Sequence, residues 1–262
     1  MSHNTDIALW ASGLTKVFDG VLALNNLSLS IQSGVITALI GPNGAGKTTL
    51  LNVISGFLRP DHGMVMALGH DVRGMPPEGI ARLGVTRTFQ NIRLLPQMTV
   101  IENVLVASRL PALRGLYYAV FRRGAVHAFE EAARKSALAL LRRIGLEDRQ
   151  SHLAMNLSHG QRKLLELARA LACKPRILML DEPIAGLFPE MVSQVEQLLL
   201  DLRQDGTAIV VVEHRMDFVM RISDVVIVLH NGAKLAEGTP KDISRNDQVL
   251  QVYLGGSGSV DS

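Results

Sequence analysis

The sequence predicts an α/β protein with a mainly parallel sheet, an antiparallel β region at the N-terminus and a helical region inserted into the core. Three observations predict this class. Apolar and polar residues alternate over residues 7–34, apolar residues recur at helical spacing between residues 91 and 176, and short buried-strand patterns flank a helix after residue 176. The 262 residues, 47% of them hydrophobic, are enough to bury such a core.

The N-terminal stretch, IALWASGLTKVFDGVLALNNLSLSIQSG, is broken by Gly20 and Gly34. That pattern predicts a hairpin or meander of strands. VITALI (35–40) fits a short buried strand, and a helix is expected from about Lys47 to Ser55. A further strand region is expected over 63–70.

The later segments RILMLDEP and TAIVVVEH are two buried, β-branched or aliphatic strands separated by a helix at 190–204. This alternation is typical of a parallel sheet. We therefore assign residues 1–90 and 158–254 to an α/β core, residues 91–157 to a helical subdomain and residues 255–262 to a flexible tail.

Composition excludes several classes. The net charge is +3, from 27 basic and 24 acidic residues. The sequence has no block of basic residues of the kind typical of nucleic-acid binding. The single cysteine, Cys173, cannot form an internal disulfide; we interpret it as a packing residue in a reducing compartment. The N-terminus lacks a signal-peptide pattern, and no apolar run approaches the ~20 residues of a membrane helix. The chain is expected not to span a membrane, although it could bind a protein that does.

GPNGAGKT (41–48) lies between a predicted strand and a predicted helix and fits the phosphate-loop pattern G-x-x-x-x-G-K-[ST]. Glycines allow backbone N–H groups to surround phosphates, and the helix N-terminus adds partial positive charge. Lys47 can reach the β- and γ-phosphates, and the Thr48 hydroxyl can hold Mg²⁺. The alternative is a simple glycine-rich turn. The residues expected to bind ATP here are Gly41, Pro42, Asn43, Gly44, Ala45, Gly46, Lys47, Thr48 and Thr49.

The predicted strand ILML is followed directly by two acidic residues, Asp181 and Glu182. Asp181 is expected on the Mg²⁺ side of the phosphates, and Glu182 can polarise an attacking water. Such a strand end alone is more often structural; the upstream phosphate loop makes the pairing informative.

The stretch LSHGQ (157–161) precedes a long helical run and allows three interpretations. It could be a helix cap, contain a catalytic histidine, or form half of a binding site completed by another molecule. Ser158 is a good N-cap residue, and the helix dipole favours an anion at this end.

Together, the phosphate loop, Gln90, LSHGQ, LMLDEP and His214 resemble the ATP-binding cassette (ABC) ATPases over about residues 7–254. The resemblance implies a P-loop NTPase fold and a dimer that holds two ATP molecules head to tail. It implies that LSHGQ binds the γ-phosphate of the ATP held by the opposite subunit, through Leu157, Ser158, His159, Gly160 and Gln161.

Other roles follow from the same resemblance. Phe18 matches the aromatic residue that stacks on adenine, although a lone strand aromatic is more often a core residue. Gln90 matches the glutamine that senses Mg²⁺ and water, and His214 matches the histidine that contacts the γ-phosphate. The implied catalytic residues are Glu182, His214, Gln90 and Lys47, and the implied Mg²⁺ ligands are Thr48, Gln90 and Asp181.

Three positions depart from the family pattern. His159 replaces the usual glycine of LSGGQ; we do not interpret it as catalytic and expect it beside the phosphate or facing outward. Phe188 stands where Asp or Asn normally contacts the other subunit, and phenylalanine cannot make those hydrogen bonds. We therefore hypothesise two inequivalent ATP sites and a different ATPase chain as partner. Arg215 stands where relatives often have Asp.

Several stretches, including GVTRTFQNIRLLPQMTVIENVLVA and the ending VLQVYLGG, resemble ATPases of bacterial branched-chain (hydrophobic) amino acid importers. The resemblance implies two integral-membrane permeases, a second ATPase subunit (a homodimer being the alternative), an indirectly associated periplasmic binding protein and a peripheral location at the cytoplasmic face of the inner membrane. LSHGQ also resembles the related urea and short-chain amide importers. The basic stretch with Arg109, Arg114, Arg122 and Arg123 is either a solvated helical hairpin or a contact with a permease or anionic lipid.

Three rival functions remain at this stage. The first is a soluble ABC ATPase that remodels ribosomes or DNA-repair complexes. Such proteins usually carry two cassettes or a long coiled-coil insertion, and these 262 residues show neither pattern. A non-hydrolysing nucleotide-binding regulator is disfavoured by Glu182 and His214. An export ATPase is the third.

Overall fold

The computed structural model describes residues 7–88, 93–109 and 123–255. The strands are β1 (Ile7–Phe18), β2 (Val21–Gln32), β3 (Ile36–Ile40), β4 (His62–Ala67), β5 (His70–Asp71), β6 (Val85–Arg87), β7 (Ile177–Asp181), β8 (Ala208–Val212), β9 (Val225–His230) and β10 (Ala233–Gly238). The helices are α1 (Lys47–Ile54), α2 (Pro77–Leu83), α3 (Val100–Arg109), α4 (Arg123–Arg143), α5 (His159–Ala172), α6 (Pro189–Gln204), α7 (Met216–Ile222), α8 (Pro240–Ile243) and α9 (Asp247–Gly255).

The chain divides into two compact units. The first contains the segment ending at Val85, Arg176–Glu182 and the chain from Leu199 onward. The second contains Thr86–Pro175 and Pro183–Leu198.

The first unit contains an antiparallel sheet of order β2-β1-β4-β5, as the N-terminal alternation predicts. Its hairpin turns at Asp19 and Gly20, with φ of 45° and 83°. Two successive positive φ angles match the right-handed twist of the flanking strands, so this two-residue turn pairs Phe18 with Val21. Apolar side chains of this sheet join one buried cluster with α1 and the second sheet.

The second sheet has the order β10-β9-β3-β8-β7-β6. Strands β3, β7 and β8 are buried at every residue, which accounts for their nearly continuous apolar sequences. β3 pairs in parallel with β8 and β9, β7 pairs in parallel with β8, and β10 is antiparallel to β9. The carboxyl ends of β3, β8 and β7 are therefore adjacent at one edge, which is where ligands bind in open α/β sheets.

The second unit is helical in its described part, apart from the end of β6, as predicted for the middle of the sequence. Helices α3, α4 and α5 contact one another. The fully buried Asn103 side chain holds the chain before α3, because its Oδ1 accepts from Leu95 N at 2.9 Å and its Nδ2 donates to the carbonyls of Leu95 and Thr99 at 3.0 Å. Among the described residues, no helix is long and apolar enough to cross a bilayer.

The short helix α2 and the three-residue strand β6 were not predicted. Both are too brief for a hydrophobic period to identify. Helix α2 begins with proline in its first turn and ends at Gly84 in the left-handed conformation, φ 104°.

Candidate functional site

The turn after β3 forms the loop predicted to bind phosphates. Gly46 caps α1 with φ 98°, so the helix begins without a side-chain cap, and its first turn contains no acidic residue. A Cβ on Gly46 would lie 2.5 Å from the Ala23 carbonyl oxygen, whereas a Cβ on Gly44 would meet nothing within 4 Å. The loop is thus pressed against β2 at one end and open at Gly44, and the positive end of α1 carries no competing carboxylate.

Lys47 is buried at the start of α1. Its Nζ donates to the carbonyl oxygens of Gly41 at 2.7 Å and Pro42 at 2.9 Å. Burial lowers the pKa of Lys47, and the nearby charges of Asp181 and Glu182 act in the opposite direction. The Lys47 ammonium therefore lies close enough to Asp181 and Glu182 to interact electrostatically with both carboxylates.

Glu182 and His214 face each other across the edge of the sheet. Asp181 ends β7 and is buried, while Glu182 follows with φ 51° and donates its N–H to the Val212 carbonyl at 2.9 Å. The left-handed backbone changes the direction of the Glu182 side chain, whose Oε1 lies 3.4 Å from His214 Nε2. The structure thus brings Lys47, Asp181, Glu182 and His214 together at the carboxyl ends of β3, β7 and β8.

Glu213 is a supporting residue that the sequence reasoning missed. Its carboxylate is buried, and Oε2 accepts hydrogen bonds from the backbone N–H groups of His214 at 3.0 Å and Arg215 at 3.4 Å. These bonds fix the turn that presents His214. The signal was available, because an acidic residue directly after five buried strand residues must have compensating donors.

Phe18 lies at the tip of the β1–β2 hairpin and is 40% exposed. The Lys16 ammonium lies 5.4 Å from the ring centroid, so the ring already contacts a cation on one face. Phe18 pairs with Val21 on the neighbouring strand. Val21 lies two residues, or roughly 7 Å along the strand, from Ala23, whose carbonyl adjoins Gly46 of the phosphate loop. Phe18 is therefore an exposed aromatic near the loop rather than a core residue.

The segment Leu157–Gln161 forms the N-terminus of α5. Ser158 is the N-cap: its Oγ accepts from Gln161 N at 3.3 Å, and the Gln161 Oε1 accepts from Ser158 N at 3.0 Å. This reciprocal pair is a capping box. Ser158 and His159 are exposed, while Leu157 is buried.

Gly160 and His159 each contact the chain that follows β7. A Cβ on Gly160 would lie 2.9 Å from the Met191 sulfur, so Gly160 packs closely against the Met191 side chain. The His159 Nδ1 would lie 3.3 Å from a Cβ on Gly186. His159 thus covers Gly186, two residues before Phe188, whose side chain is 70% exposed.

Comparisons with known proteins agree on one family. A sequence profile described as ABC transporter matches residues 24–185. The high-affinity branched-chain amino acid transport ATP-binding protein LivG of Salmonella typhimurium is 43% identical over 248 residues, 94% of this chain and 97% of the relative. The corresponding protein BraF of Pseudomonas aeruginosa is 41% identical over 248 residues, again 94% of this chain and 97% of the relative.

The chain belongs to the ABC transporter family. A second profile, described as Branched-chain amino acid ATP-binding cassette transporter, matches residues 233–258. The solved structure of the ADP conformation of MJ1267, an ATP-binding cassette of an ABC transporter, superposes with a TM-score of 0.82 and 34% identity, covering 96% of this chain and 100% of that one. A dimeric bacterial ABC transporter cassette, MJ0796, gives 0.76 and 29% identity, covering 88% and 98%. The predicted ABC ATPase fold and the predicted ATP hydrolase activity are confirmed at the level of the family.

Some of the predicted positions lie outside the described residues, and another, Arg215, has a partner that the sequence did not predict. Gln90 lies outside the described residues, as do the side chains of the basic stretch from Arg109 to Arg123. Arg215 is exposed and pairs with Asp217 at 2.9 Å. The positive charge of Arg215, next to His214, is therefore balanced by the carboxylate of Asp217.

Proposed function

We propose that this cassette is the ATP-hydrolysing subunit of an importer for branched-chain or other hydrophobic amino acids, bound peripherally at the cytoplasmic face of a bacterial inner membrane. The observation that carries the catalytic part is the Glu182–His214 pair, 3.4 Å apart, next to the buried Lys47. The solute class is supported by the names of relatives that match over almost the whole chain.

In this proposal, ATP occupies the loop from Gly41 to Thr49 and its adenine stacks on Phe18. Lys47 transfers its hydrogen bonds from the Gly41 and Pro42 carbonyls to phosphate oxygens, which suits a lysine held by weak neutral acceptors. Glu182 orients and deprotonates the attacking water, and His214 holds the γ-phosphate. Glu213 positions His214 through the backbone of its turn.

The donor set also suits Mg²⁺. Thr48 offers a hydroxyl and Asp181 a carboxylate, and the described residues contain no cluster of three or more metal-binding side chains. One carboxylate with substrate phosphates and waters is the usual protein contribution to a Mg²⁺ site. The ion, held by Thr48 and Asp181 with Gln90 as a further expected ligand, would neutralise charge on the phosphates.

The segment Leu157–Gln161 is proposed to bind the γ-phosphate held by a second cassette. Its exposed Ser158 at a helix N-terminus supports this role. Closure of two cassettes would complete both sites and move two permease subunits.

Phe188 supports a second, different ATPase chain as the partner. The Phe188 side chain is 70% exposed and cannot supply the polar contacts expected at that position. We expect the purified chain with Glu182→Gln and ATP to remain monomeric by light scattering, and a further Phe188→Asn change to favour a homodimer. A symmetric, fully active homodimer of the unaltered chain would contradict the heterodimer.

Glu182→Gln tests the catalytic proposal. Loss of a general base lowers turnover by roughly 100-fold or more, while ATP binding is retained because the side chain keeps its size. Turnover within a few-fold of the unaltered chain would exclude Glu182 as the base. Asp217→Asn is a matched control, because that carboxylate pairs with Arg215 and Arg221 instead.

The importer part is tested by purifying the complex from gently solubilised membranes and identifying its subunits. Two permeases and a second ATPase are expected, and the associated periplasmic binding protein would be assayed against leucine, isoleucine and valine. The histidine in LSHGQ favours one alternative, a urea or short-chain amide importer, which urea and acetamide in the same binding assay would reveal. Recovery of only ribosomes or other soluble partners would contradict the transport function.

A further inference from the structure

Asp61, the residue directly before β4, ties down the end of β1 that leads to Phe18. Its backbone N–H donates to the Thr15 carbonyl at 2.9 Å. Its two carboxylate oxygens accept from Lys16 Nζ and from the Val17 N–H, each at 2.8 Å. One aspartate therefore holds the three consecutive residues that precede the aromatic ring.

The same aspartate fixes where the Lys16 ammonium lies. The Lys16 side chain is only 16% exposed, whereas that of Asp61 is 39% exposed. The hydrogen bonds from Lys16 and from the Val17 N–H lower the pKa of Asp61, so the carboxylate remains a charged partner for the lysine at neutral pH. A surface ion pair of this kind adds little to the stability of the fold. Its consequence is the position that it gives to the positive charge.

That charge lies over the Phe18 ring. Lys16 Nζ is 5.4 Å from the ring centroid, within the distance at which the negative face of an aromatic ring attracts a cation. Phe18 is 40% exposed at the tip of the hairpin, so the ammonium restrains a ring that the protein leaves partly uncovered. With one face occupied, the opposite face is the one on which a flat ligand can stack. A ring already held in place loses less conformational entropy when a base stacks on it.

We propose that Lys16 and Asp61 are positioning residues that hold the Phe18 ring for stacking on the nucleotide base. Asp61 sets the Lys16 ammonium over one face of the ring, and the base stacks on the other face. The inference rests on the role proposed above for Phe18 and extends the nucleotide site to two charged residues that need not contact the nucleotide. Their contribution is to the recognition of the base and not of the phosphates.

The test is calorimetric titration of the full chain with ADP, which carries a base, and with inorganic tripolyphosphate, which does not. Lys16→Met keeps most of the apolar stem of the side chain and removes the charge. It should raise the Kd for ADP about two- to fivefold, as expected for one exposed cation–π contact, and leave the Kd for tripolyphosphate unchanged. Asp61→Asn should act in the same direction, and Lys16→Arg, which keeps a cation, should retain most of the affinity. Glu147→Gln, which breaks a surface pair with Arg142 in the second unit, is the control and should change neither Kd.

A second comparison uses Phe18→Ala as the background. There Lys16→Met should leave the Kd for ADP unchanged, because the lysine acts through the ring. An equal rise for ADP and tripolyphosphate, or the same rise for ADP with and without Phe18, would overturn the positioning role, because either result assigns Lys16 to the phosphates or to the fold. A normal Kd for ADP with Lys16→Met, alongside weakened binding with Phe18→Ala, would overturn the positioning role and leave that of Phe18 intact. Unchanged ADP binding with Phe18→Ala would instead contradict the adenine contact itself and the positioning role with it.

Discussion

Two helix N-termini of this cassette are proposed to bind phosphate, and they are built in opposite ways. Helix α1 begins at a left-handed glycine with no side-chain cap, whereas α5 begins with a capping box formed by Ser158 and Gln161. The first N-terminus leaves its N–H groups to a ligand, and the second satisfies two of its own. The difference suggests that α1 is suited to hold nucleotide by itself. Helix α5 would bind phosphate only once a second cassette brings it close.

The largest expected effect separates capping from phosphate binding at α5. Aspartate caps helices as well as serine does and also favours the helix dipole, so Ser158→Asp should preserve the Tm. Its charge would repel a γ-phosphate, so turnover of the assembled transporter should fall by about 100-fold, while ADP binding to the isolated chain is unchanged. Stopped-flow phosphate release and fluorescence titration measure the two quantities. Unchanged turnover would leave LSHGQ as a cap only.

The next effect concerns the glycines that make α1 an open N-terminus. Gly46→Ala places a Cβ 2.5 Å from the Ala23 carbonyl and imposes φ 98° on alanine, so we expect a loss of more than about 2 kcal/mol in unfolding free energy. Gly44→Ala meets nothing within 4 Å and should cost only about 1 kcal/mol, for its positive φ. Urea unfolding of the two variants gives the comparison. Equal losses would show that β2 does not restrain the loop.

The sequence predicted the class of each element near the site, because buried strands and the phosphate loop leave strong local patterns. It did not predict which residues support the site. The contact of His159 with Gly186 and the packing of Gly160 against Met191 join segments distant along the chain. Glu213 is local, and its place directly after a buried strand is a signal of compensating donors that the sequence reasoning did not use. The roles of the site residues themselves stay predictions until tested.

A smaller effect tests the capping box itself. Gln161→Ala removes the bond to the Ser158 N–H, so unfolding free energy should fall by about 0.5–1 kcal/mol. Because that N–H then becomes available, affinity for a partner-held phosphate should not fall, and the stability loss should be separable from turnover. A loss of turnover greater than tenfold with Gln161→Ala would indicate that Gln161 itself contacts the nucleotide.

The smallest expected effect is a proton taken up at α1 and not at α5. Burial lowers the pKa of Lys47 in the free chain, whereas phosphate bound beside it would favour the charged ammonium and raise that pKa again. At a pH between the lowered pKa of Lys47 and the ordinary lysine pKa of about 10.4, the protein should therefore take up a fraction of a proton when ATP binds. Calorimetric titration with ATP in two alkaline buffers of different ionisation enthalpy measures the uptake. Lys47→Arg should abolish the uptake, because a guanidinium stays protonated in both states and every other titrating group is retained. Equal uptake by both chains would assign the proton elsewhere, and the α1 N-terminus would then differ from α5 in geometry alone.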